Sequence, residues 1–235
     1  MGEHTVSAFD AELNEIDRLL RSMDDTAGAM VGLAIKALLN GDGAQAQRVI
    51  SEDAIIDAHQ RDLDDRAITL IGKRQPLAQD LRAVLGSIRM AGDLERIGDL
   101  AKNIAKRVNA VGAAPMPKKL SHGIDAMAGL VADQVRNVID LYVARDAAGL
   151  AELRDEDEKI DVRYTSVFRE LLTYMMEDPR NITACTHLLF CAKNLERIGD
   201  HVTNIAENAY YIVTGEQLPA SRPKQDETTA AVVGG

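Results

Sequence analysis

The chain has 235 residues, of which 46% are hydrophobic, 27% charged and 3% aromatic, and its formal net charge is -10. This length allows one large domain or two small ones with a sizeable core, whereas the acidic balance argues against binding to nucleic acid or adsorption to anionic lipid. The longest apolar runs, such as residues 27–35, fall short of the ~20 residues of a membrane span, and no basic region followed by an apolar one opens the chain, so we expect no membrane insertion and no signal peptide.

Helical periodicity dominates the first half of the chain. Apolar side chains recur every three or four positions over about residues 5–39, which predicts a first helix. Residues 40–43, Asn-Gly-Asp-Gly, can end this helix and cap a second one that reaches about Ile71. Pro76 is suited to the first turn of a helix, and the pattern after it predicts a third helix that ends at Val111.

Three further helices are predicted in the second half. The fourth extends to about Ala144, and Asp146 can cap a fifth that ends near Met176. The pair Asp178-Pro179 combines a capping residue with a proline at the first helical position. It predicts a sixth helix, which Gly215 ends.

The order of these elements repeats on the two sides of a Pro-rich segment. We therefore predict an all-α fold of two tandem, sequence-repeated three-helix bundles with six long helices. The predicted bundles comprise residues 1–112 and 118–215, with a linker at residues 113–117. Residues 216–235 have no periodicity and are predicted to form a disordered tail.

The sequence LERIGD occurs at residues 94–99 and again at residues 195–200. Around these copies, ten of fifteen positions are identical between residues 91–105 and 192–206, which indicates an internal repeat. The Leu and Ile of each copy belong to an apolar seam with alternating spacings of three and four, and the Glu and Asp lie beside it on one helical face. The Gly in each copy indicates close approach by a neighbouring helix, since a helical Gly costs ~1 kcal/mol relative to Ala.

A second pair of acids precedes each copy, on the preceding helix. Asp53 and Asp57 lie in the second predicted helix, and Asp157 and Asp161 lie in the fifth. Asp53 and Asp157 occupy positions in otherwise apolar seams. Because a buried carboxylate is costly unless it is paired or protonated, facing acids in a bundle are suited to holding a cation.

These acid pairs predict one metal site in each bundle. Oxygen donors favour Mg, Mn, Ca or Fe over Cu or structural Zn. The predicted cofactor is a divalent or trivalent ion, Fe, Mn, Mg or Zn, whose identity the sequence does not specify. Arg96 and Arg197 are expected to point about 100° away from the adjacent Glu and not to neutralise it. The alternative is that the acids form solvated helix faces. The eight candidate ligands are Asp53, Asp57, Glu95, Asp99, Asp157, Asp161, Glu196 and Asp200.

Histidine and cysteine contribute little to these candidate sites. Of the five histidines only His201 adjoins the repeated motif, and Leu100 stands at its place in the first copy. No E-x-x-H pattern is present, so the di-iron pattern of ferritin-like proteins is not met. Cys185 and Cys191 have neither a CxxC nor a zinc spacing and are interpreted as small core residues of a reducing cytoplasm.

The sequences LERIGDLAKNIA and LERIGDHVTNIAE resemble the PhoU family, as do KRQPLAQDLR at residues 73–82, EDPRNIT at residues 177–183 and the upstream acid pairs. The resemblance extends over about residues 5–215. It implies two three-helix bundles, and E(D)-x-x-x-D motifs that hold metal ions or iron-containing clusters in some members. On that basis the eight acids named above are the metal ligands.

The resemblance also implies a function. Members of this family act with the phosphate ABC transporter and a phosphate-sensing histidine kinase, repress the phosphate-starvation response and restrain phosphate uptake. We therefore expect a non-enzymatic, cytoplasmic negative regulator, homodimeric and peripheral to the inner face of the membrane through its partners, the transporter ATPase subunit and the kinase. The sequence contains no nucleotide-binding or catalytic-nucleophile motif, which agrees with the expectation of a regulator. A carboxylate-bridged, metal-dependent hydrolase and a metal-free helical scaffold remain the alternatives.

Overall fold

The computed structural model describes residues 2–111 and 118–219, with side chains for residues 9–111 and 120–219. Within these ranges the chain forms helices and turns and no strand. The helices are α1 (Gly2–Asn40), α2 (Gly43–Arg74), α3 (Gln79–Val111), α4 (Lys118–Val143), α5 (Ala147–Asp155), α6 (Asp157–Glu177) and α7 (Ile182–Thr214), with a 3-10 turn (Pro179–Asn181) before α7.

Two predictions concern segments beyond these ranges. The predicted linker at residues 113–117 and residues 220–235 of the predicted tail lie outside the described residues. None of the described helices is both long enough and apolar enough to cross a membrane.

The capping residues act where the sequence predicts them. Asp42 accepts a hydrogen bond from the backbone N–H of Gln45 at 2.9 Å and begins α2. Asp146 does the same for Gly149 at 3.0 Å and begins α5. Gly215 ends α7 with a φ of 84°, a left-handed conformation that favours glycine.

The fifth predicted helix is divided into α5 and α6 at Glu156. The division falls within four consecutive acids at residues 155–158, whose like charges disfavour a continuous helix. Here the N–H of Lys159 donates to the carbonyl of Glu156 at 3.0 Å, a spacing of three residues that tightens the turn. The two pieces together occupy the place of one predicted helix.

The third helix begins later than predicted. Pro76 lies in the connecting turn and not in the first turn of α3, which starts at Gln79. Gln75 and Ala78 on either side of the turn have φ angles of 48° and 47°. These left-handed residues reverse the chain before the helix can start, which is why the proline prediction is wrong by three residues.

The helices form two three-helix bundles, which confirms the predicted fold class. In the first, α1, α2 and α3 pack together, and in the second α4, the α5–α6 pair and α7 do so. The bundles are joined because α3 packs extensively along α7 and α1 packs on α4. Their buried apolar side chains form one contiguous cluster.

The helices α3 and α7 run antiparallel. Arg82, near the start of α3, donates to the carbonyl of Tyr211, near the end of α7, at 3.3 Å. At the other end of the pair, Arg107 contacts Nδ1 of His187 at 3.1 Å and lies 4.2 Å from the ring centroid of Phe190. The two copies of the motif therefore lie in the central part of this pair.

The motif glycines mark close helix packing, as the sequence predicts. A Cβ added to Gly98 would lie 2.6 Å from Cδ1 of Ile56 on α2, and one added to Gly199 would lie 2.9 Å from Cδ1 of Ile160 on α6. In each bundle, therefore, the motif helix packs closely against the helix that carries the other acid pair, α3 against α2 and α7 against α6. The predicted seams are also buried, through Leu94, Ile97, Ala101, Ile104 and Val108 in α3 and Leu195, Ile198, Val202, Ile205, Ala209 and Ile212 in α7.

Candidate metal-binding walls

In each bundle the four candidate acids lie on two helices that pack against each other, the acid-bearing helix and the motif helix. The first acidic wall consists of Asp53 and Asp57 on α2 with Glu95 and Asp99 on α3. The second acidic wall consists of Asp157 and Asp161 on α6 with Glu196 and Asp200 on α7.

The acids of the first acidic wall face one another. Burial raises the pKa of the Glu95 carboxyl, and the negative charges of Asp99, Asp57 and Asp53 raise it further, against the opposing effect of Arg96. Acids on both helices thus act on one carboxyl group.

A lysine lies between the two helices of the first acidic wall. The Nζ of Lys102 is 2.6 Å from Oδ2 of Asp53 on α2 and 2.6 Å from Oδ1 of Asp99 on α3. Burial disfavours the charged ammonium, but the hydrogen bonds to Asp53 and Asp99 outweigh it and raise the pKa of Lys102. The ammonium group therefore neutralises part of the wall without any bound ion.

Arg96 also contributes, contrary to the expectation from helical geometry. Its guanidinium lies 3.4 Å from Oε2 of Glu95 and 3.4 Å from Oδ2 of Asp99. The arginine is long enough to fold back along the helix surface, which the ~100° separation of adjacent Cβ directions does not prevent. Because its side chain is 61% exposed, it stabilises the rim of the wall only weakly.

The second acidic wall is more deeply buried than the first. Asp161 is 4% exposed and Glu196 is 3% exposed. Oδ1 of Asp157 would lie 2.9 Å from a Cβ on Gly199, so the motif glycine admits a carboxylate from α6. Lys193 is bound to Glu196 at 2.8 Å, and its Nζ lies 5.1 Å from the ring centroid of Tyr164.

The carboxylate oxygens of both walls are donors that suit a hard cation. The two walls differ in the residue at the position of Lys102. Among the side chains that the structure describes, no group of three or more His, Cys, Asp or Glu forms a potential metal site. In the first acidic wall the ammonium of Lys102 takes the position between Asp53 and Asp99, so these residues as arranged do not fit a metal ion. In the second acidic wall the position equivalent to Lys102 is Thr203, and the four carboxylates are the residues that would hold one.

His201 connects the two bundles and does not point toward the acids of its own motif. Its Nδ1 is 2.9 Å from Oδ1 of Asp93 on α3, and Nδ2 of Asn204 lies 3.4 Å from the same oxygen. The first copy of the motif has Leu100 at this place, so the link is made once. The sequence carries no signal for this pairing, because it crosses from one bundle to the other.

The prediction that both cysteines are core residues is confirmed. Cys185 and Cys191 are free and buried. Burial raises the pKa of the Cys191 thiol to about 12, which keeps it protonated and unreactive at neutral pH.

Two repeated three-helix bundles, each with an acidic wall on its motif helix, define a class of duplicated helical-bundle proteins. The PhoU domain family matches the chain twice, at residues 20–108 and 124–209. The chain therefore belongs to the PhoU family.

Named relatives and solved structures agree with this assignment. The phosphate-specific transport system accessory protein PhoU homolog of Rhizobium meliloti (strain 1021) is 54% identical over 226 residues, covering 96% of this chain and 95% of the relative. The homolog of Caulobacter vibrioides (strain NA1000 / CB15N) is 43% identical, covering 96% and 98%. The crystal structure of PhoU from Pseudomonas aeruginosa has a TM-score of 0.84 at 33% identity, covering 88% of this chain and 100% of that chain.

A second solved structure, at lower sequence identity, has the same fold. The phosphate transport system regulatory protein PhoU from Streptococcus pneumoniae has a TM-score of 0.83 at 26% identity, covering 90% of this chain and 100% of that chain. The duplicated architecture thus extends over nearly the whole of both proteins.

Proposed function

We propose that the chain is a non-enzymatic negative regulator of the phosphate regulon and of phosphate uptake. The observation that carries this proposal is family membership over nearly the full chain, with relatives named as accessory or regulatory proteins of phosphate transport. In this proposal the chain couples the phosphate ABC transporter, through its ATPase subunit, to a phosphate-sensing histidine kinase.

The arrangement of polar groups supports a regulator over a hydrolase. Two acids of the first acidic wall, Asp53 and Asp99, are paired with Lys102, and the histidine beside the second motif is paired with Asp93. A metal-dependent hydrolase would need a base or a metal-activated water aimed at a substrate. The long helical faces are better suited to contact with other proteins.

Metal ions bound at the acidic walls are part of the proposal, and in the first acidic wall an ion would have to replace the ammonium group of Lys102 between Asp53 and Asp99. The candidate ligands are the eight acids predicted from the sequence, and oxygen donors suit Fe, Mn or Mg more than Zn. A bound cation would supply positive charge where the carboxylates of α6 and α7 meet. The chain's own residues then control affinity through burial and through lysines such as Lys102.

We propose further that the protein is a cytoplasmic homodimer that reaches the inner face of the membrane through its partners. Several large apolar side chains are well exposed, including Ile68 on α2 (66% exposed), Leu77 in the turn before α3 (80%) and Met176 on α6 (78%). Where such groups lie together in one patch, they favour association with another protein surface.

The test is capture of the two partners by the purified chain. A tagged chain is incubated, with and without inorganic phosphate and Mn²⁺, with membranes that contain the transporter ATPase subunit and the histidine kinase. The proposal predicts that both are retained specifically under at least one of these conditions. Retention of neither, under any of them, contradicts it.

A metal-free scaffold is the alternative that one observation favours. The bridge made by Lys102 shows how the first acidic wall can be stabilised by the chain itself. Elemental analysis of protein purified without chelators separates this alternative from the metal-bound regulator.

A further inference from the structure

We propose that the cleft between α3 and α7 is a docking surface for an acidic amphipathic helix of a partner protein. The cleft lies between the first half of α3 and the second half of α7, and Gln60 of α2 and Leu218 after α7 also line it. The inference rests on the proposed function, which it deepens by giving the chemistry of a partner segment.

The size of the cleft suits a helix better than a small molecule. Its volume is about 1210 Å³ and it is open to solvent, whereas sites that enclose a small ligand measure ~300–1,000 Å³. Arg82 and Arg96 both line it and are separated by fourteen residues of α3, which is ~21 Å along the helix. A groove of this length matches an amphipathic helix of about four turns.

Three arginines follow one side of α3 along this cleft. Arg82, Arg89 and Arg96 line it at intervals of seven residues. Arg82 donates to the carbonyl of Tyr211 at 3.3 Å and lies 5.1 Å from its ring centroid, contacts that leave its charge unneutralised. Arg89 is exposed and forms no hydrogen bond or ion pair with the other residues that the structure describes. Both guanidinium groups therefore have donors to offer to carboxylates of a partner.

The acids of the cleft compensate these arginines only in part. Asp93 is paired with His201 at 2.9 Å, and Arg96 lies 3.4 Å from Glu95. Among the lining residues, Glu207 is the carboxylate that remains against the two charges of Arg82 and Arg89. The cleft thus has excess positive charge on a chain whose net charge is -10, which favours an acidic partner.

Apolar side chains line the same cleft beside the first arginine. They are Leu81, Leu85, Tyr211 and Leu218, of which Leu85 is 44% exposed and Tyr211 36% exposed. The apolar stripe of a partner helix can pack on these groups. Acids at seven-residue intervals on that helix would then face the arginines, as charged pairs do along a coiled coil.

The other end of the α3–α7 pair provides an internal comparison. Phe190 of α7 stands at the repeat position of Arg89. Arg107 of α3 stands at the repeat position of Asn208 and lies 4.2 Å from the ring centroid of Phe190. There the chain packs its own arginine on its own aromatic ring, whereas Arg89 and Asn208 line an open cleft.

The direct test is binding of a synthetic peptide to the full-length chain. The fluorescently labelled peptide is an amphipathic helix of three heptads, with Leu on one face and Glu at seven-residue intervals beside it. A second peptide carries Lys in place of every Glu. Fluorescence anisotropy should show that the acidic peptide binds the unaltered chain and that the lysine peptide does not.

Variants locate the binding surface. Arg89→Glu should weaken binding of the acidic peptide by ~10-fold or more, since it brings like charges together. Leu85→Glu should also weaken it, through loss of an apolar contact. Arg89→Lys keeps the charge, and Arg48→Glu makes the same change in net charge at an exposed position of α2 that does not line the cleft. Both should bind the peptide as tightly as the unaltered chain.

Two results would overturn the proposal directly. One is an acidic peptide that does not bind the unaltered chain, and the other is equal weakening by Arg48→Glu and Arg89→Glu. A titration in sodium phosphate in place of sodium chloride, at constant ionic strength, should leave binding unchanged. Loss of binding in phosphate alone would show that the arginines take a small phosphorylated anion and would also overturn the proposal.

The peptide assay is independent of the proposed partners. It contains neither the transporter ATPase subunit nor the histidine kinase. Failure of the peptide to bind, with both partners still captured, overturns the docking surface alone. Peptide binding with neither partner captured overturns the proposed coupling and leaves the surface.

Discussion

Among single side chains, Asp24 lies in an environment that strongly disfavours a charged carboxylate. It is 7% exposed, and its Oδ1 has no hydrogen-bond partner among the described residues. Burial raises the pKa of Asp24 to about 8, and the nearby charges of Asp25 and Asp140 add to the effect, while Arg21 opposes it. The carboxyl group is therefore mainly protonated at neutral pH in the folded protein.

This residue makes stability depend on pH. The folded state retains the proton up to a pKa of about 8, whereas the unfolded chain releases it near 3.8, so the folded state binds more protons between these values. The free energy of unfolding must then fall as the pH rises through that range. Asp24→Asn should remove this part of the pH dependence and raise the free energy of unfolding above pH 8 by on the order of 2 kcal/mol.

Urea unfolding at a series of pH values measures this effect. Asp125→Asn, at an exposed position in α4, is the matched control and should keep the original pH dependence. If Asp24→Asn shows the same dependence as the unaltered chain, the carboxyl group does not hold a proton in the folded state.

Between helices, the closest approach that the sequence did not predict is at Gly86 of α3. A Cβ at this position would lie 2.7 Å from Cγ1 of Ile212 on α7, and the Cδ1 of Ile212 is also in the way. The isoleucine is itself fully buried, so it has little room to move. Small size at Gly86 therefore sets the spacing of the two helices that join the bundles.

Gly86→Ala should lower the free energy of unfolding by ~1–3 kcal/mol through overpacking. Gly129→Ala in α4 is the control, because a Cβ there meets nothing within 4 Å. That change should raise stability by ~0.5–1 kcal/mol, as expected for Ala replacing Gly in a helix. Chemical denaturation of the two variants gives the comparison, and equal effects of the same sign would contradict the packing argument.

Helical elements were largely predictable because periodicity and capping are local properties of the sequence. The seams of α3 and α7 and the caps at Asp42, Asp146 and Gly215 follow from spacings of a few residues. The start of α3 and the division at Glu156 did not, because they depend on backbone turns and on the summed repulsion of neighbouring acids.

The candidate site was predictable in part for the same reason. The i, i+4 acid pairs follow from the repeat, and the interhelical facing of the first four follows from the seams. The bridge from Lys102 to Asp53 and the bond from His201 to Asp93 join residues on different helices. Helical spacing alone does not specify which side chain of a neighbouring helix is the partner.

For the molecule as a whole, the bond between His201 and Asp93 is a polar link between the two halves. The atoms lie 2.9 Å apart with both side chains mostly shielded, at 19% and 16% exposure. His201→Ala should lower the free energy of unfolding by ~1 kcal/mol. Because the bundles share one core, unfolding should remain a single transition.

A double-mutant cycle with Asp93→Asn and His201→Ala measures the link. We expect a coupling energy of ~0.5–2 kcal/mol, since the two residues are in direct contact. Additive effects of the two changes would show that the contact between His201 and Asp93 does not stabilise the junction of the two halves.

A reporter assay in living cells tests the proposed repression of the phosphate regulon. The gene for the chain is deleted in the organism that carries it, and a phosphate-regulon promoter fused to a reporter is followed in phosphate-rich medium. If the chain is the proposed repressor, the deletion raises reporter expression, and the unaltered chain, supplied in trans, restores repression. Expression that stays low in the deletion strain would contradict the account.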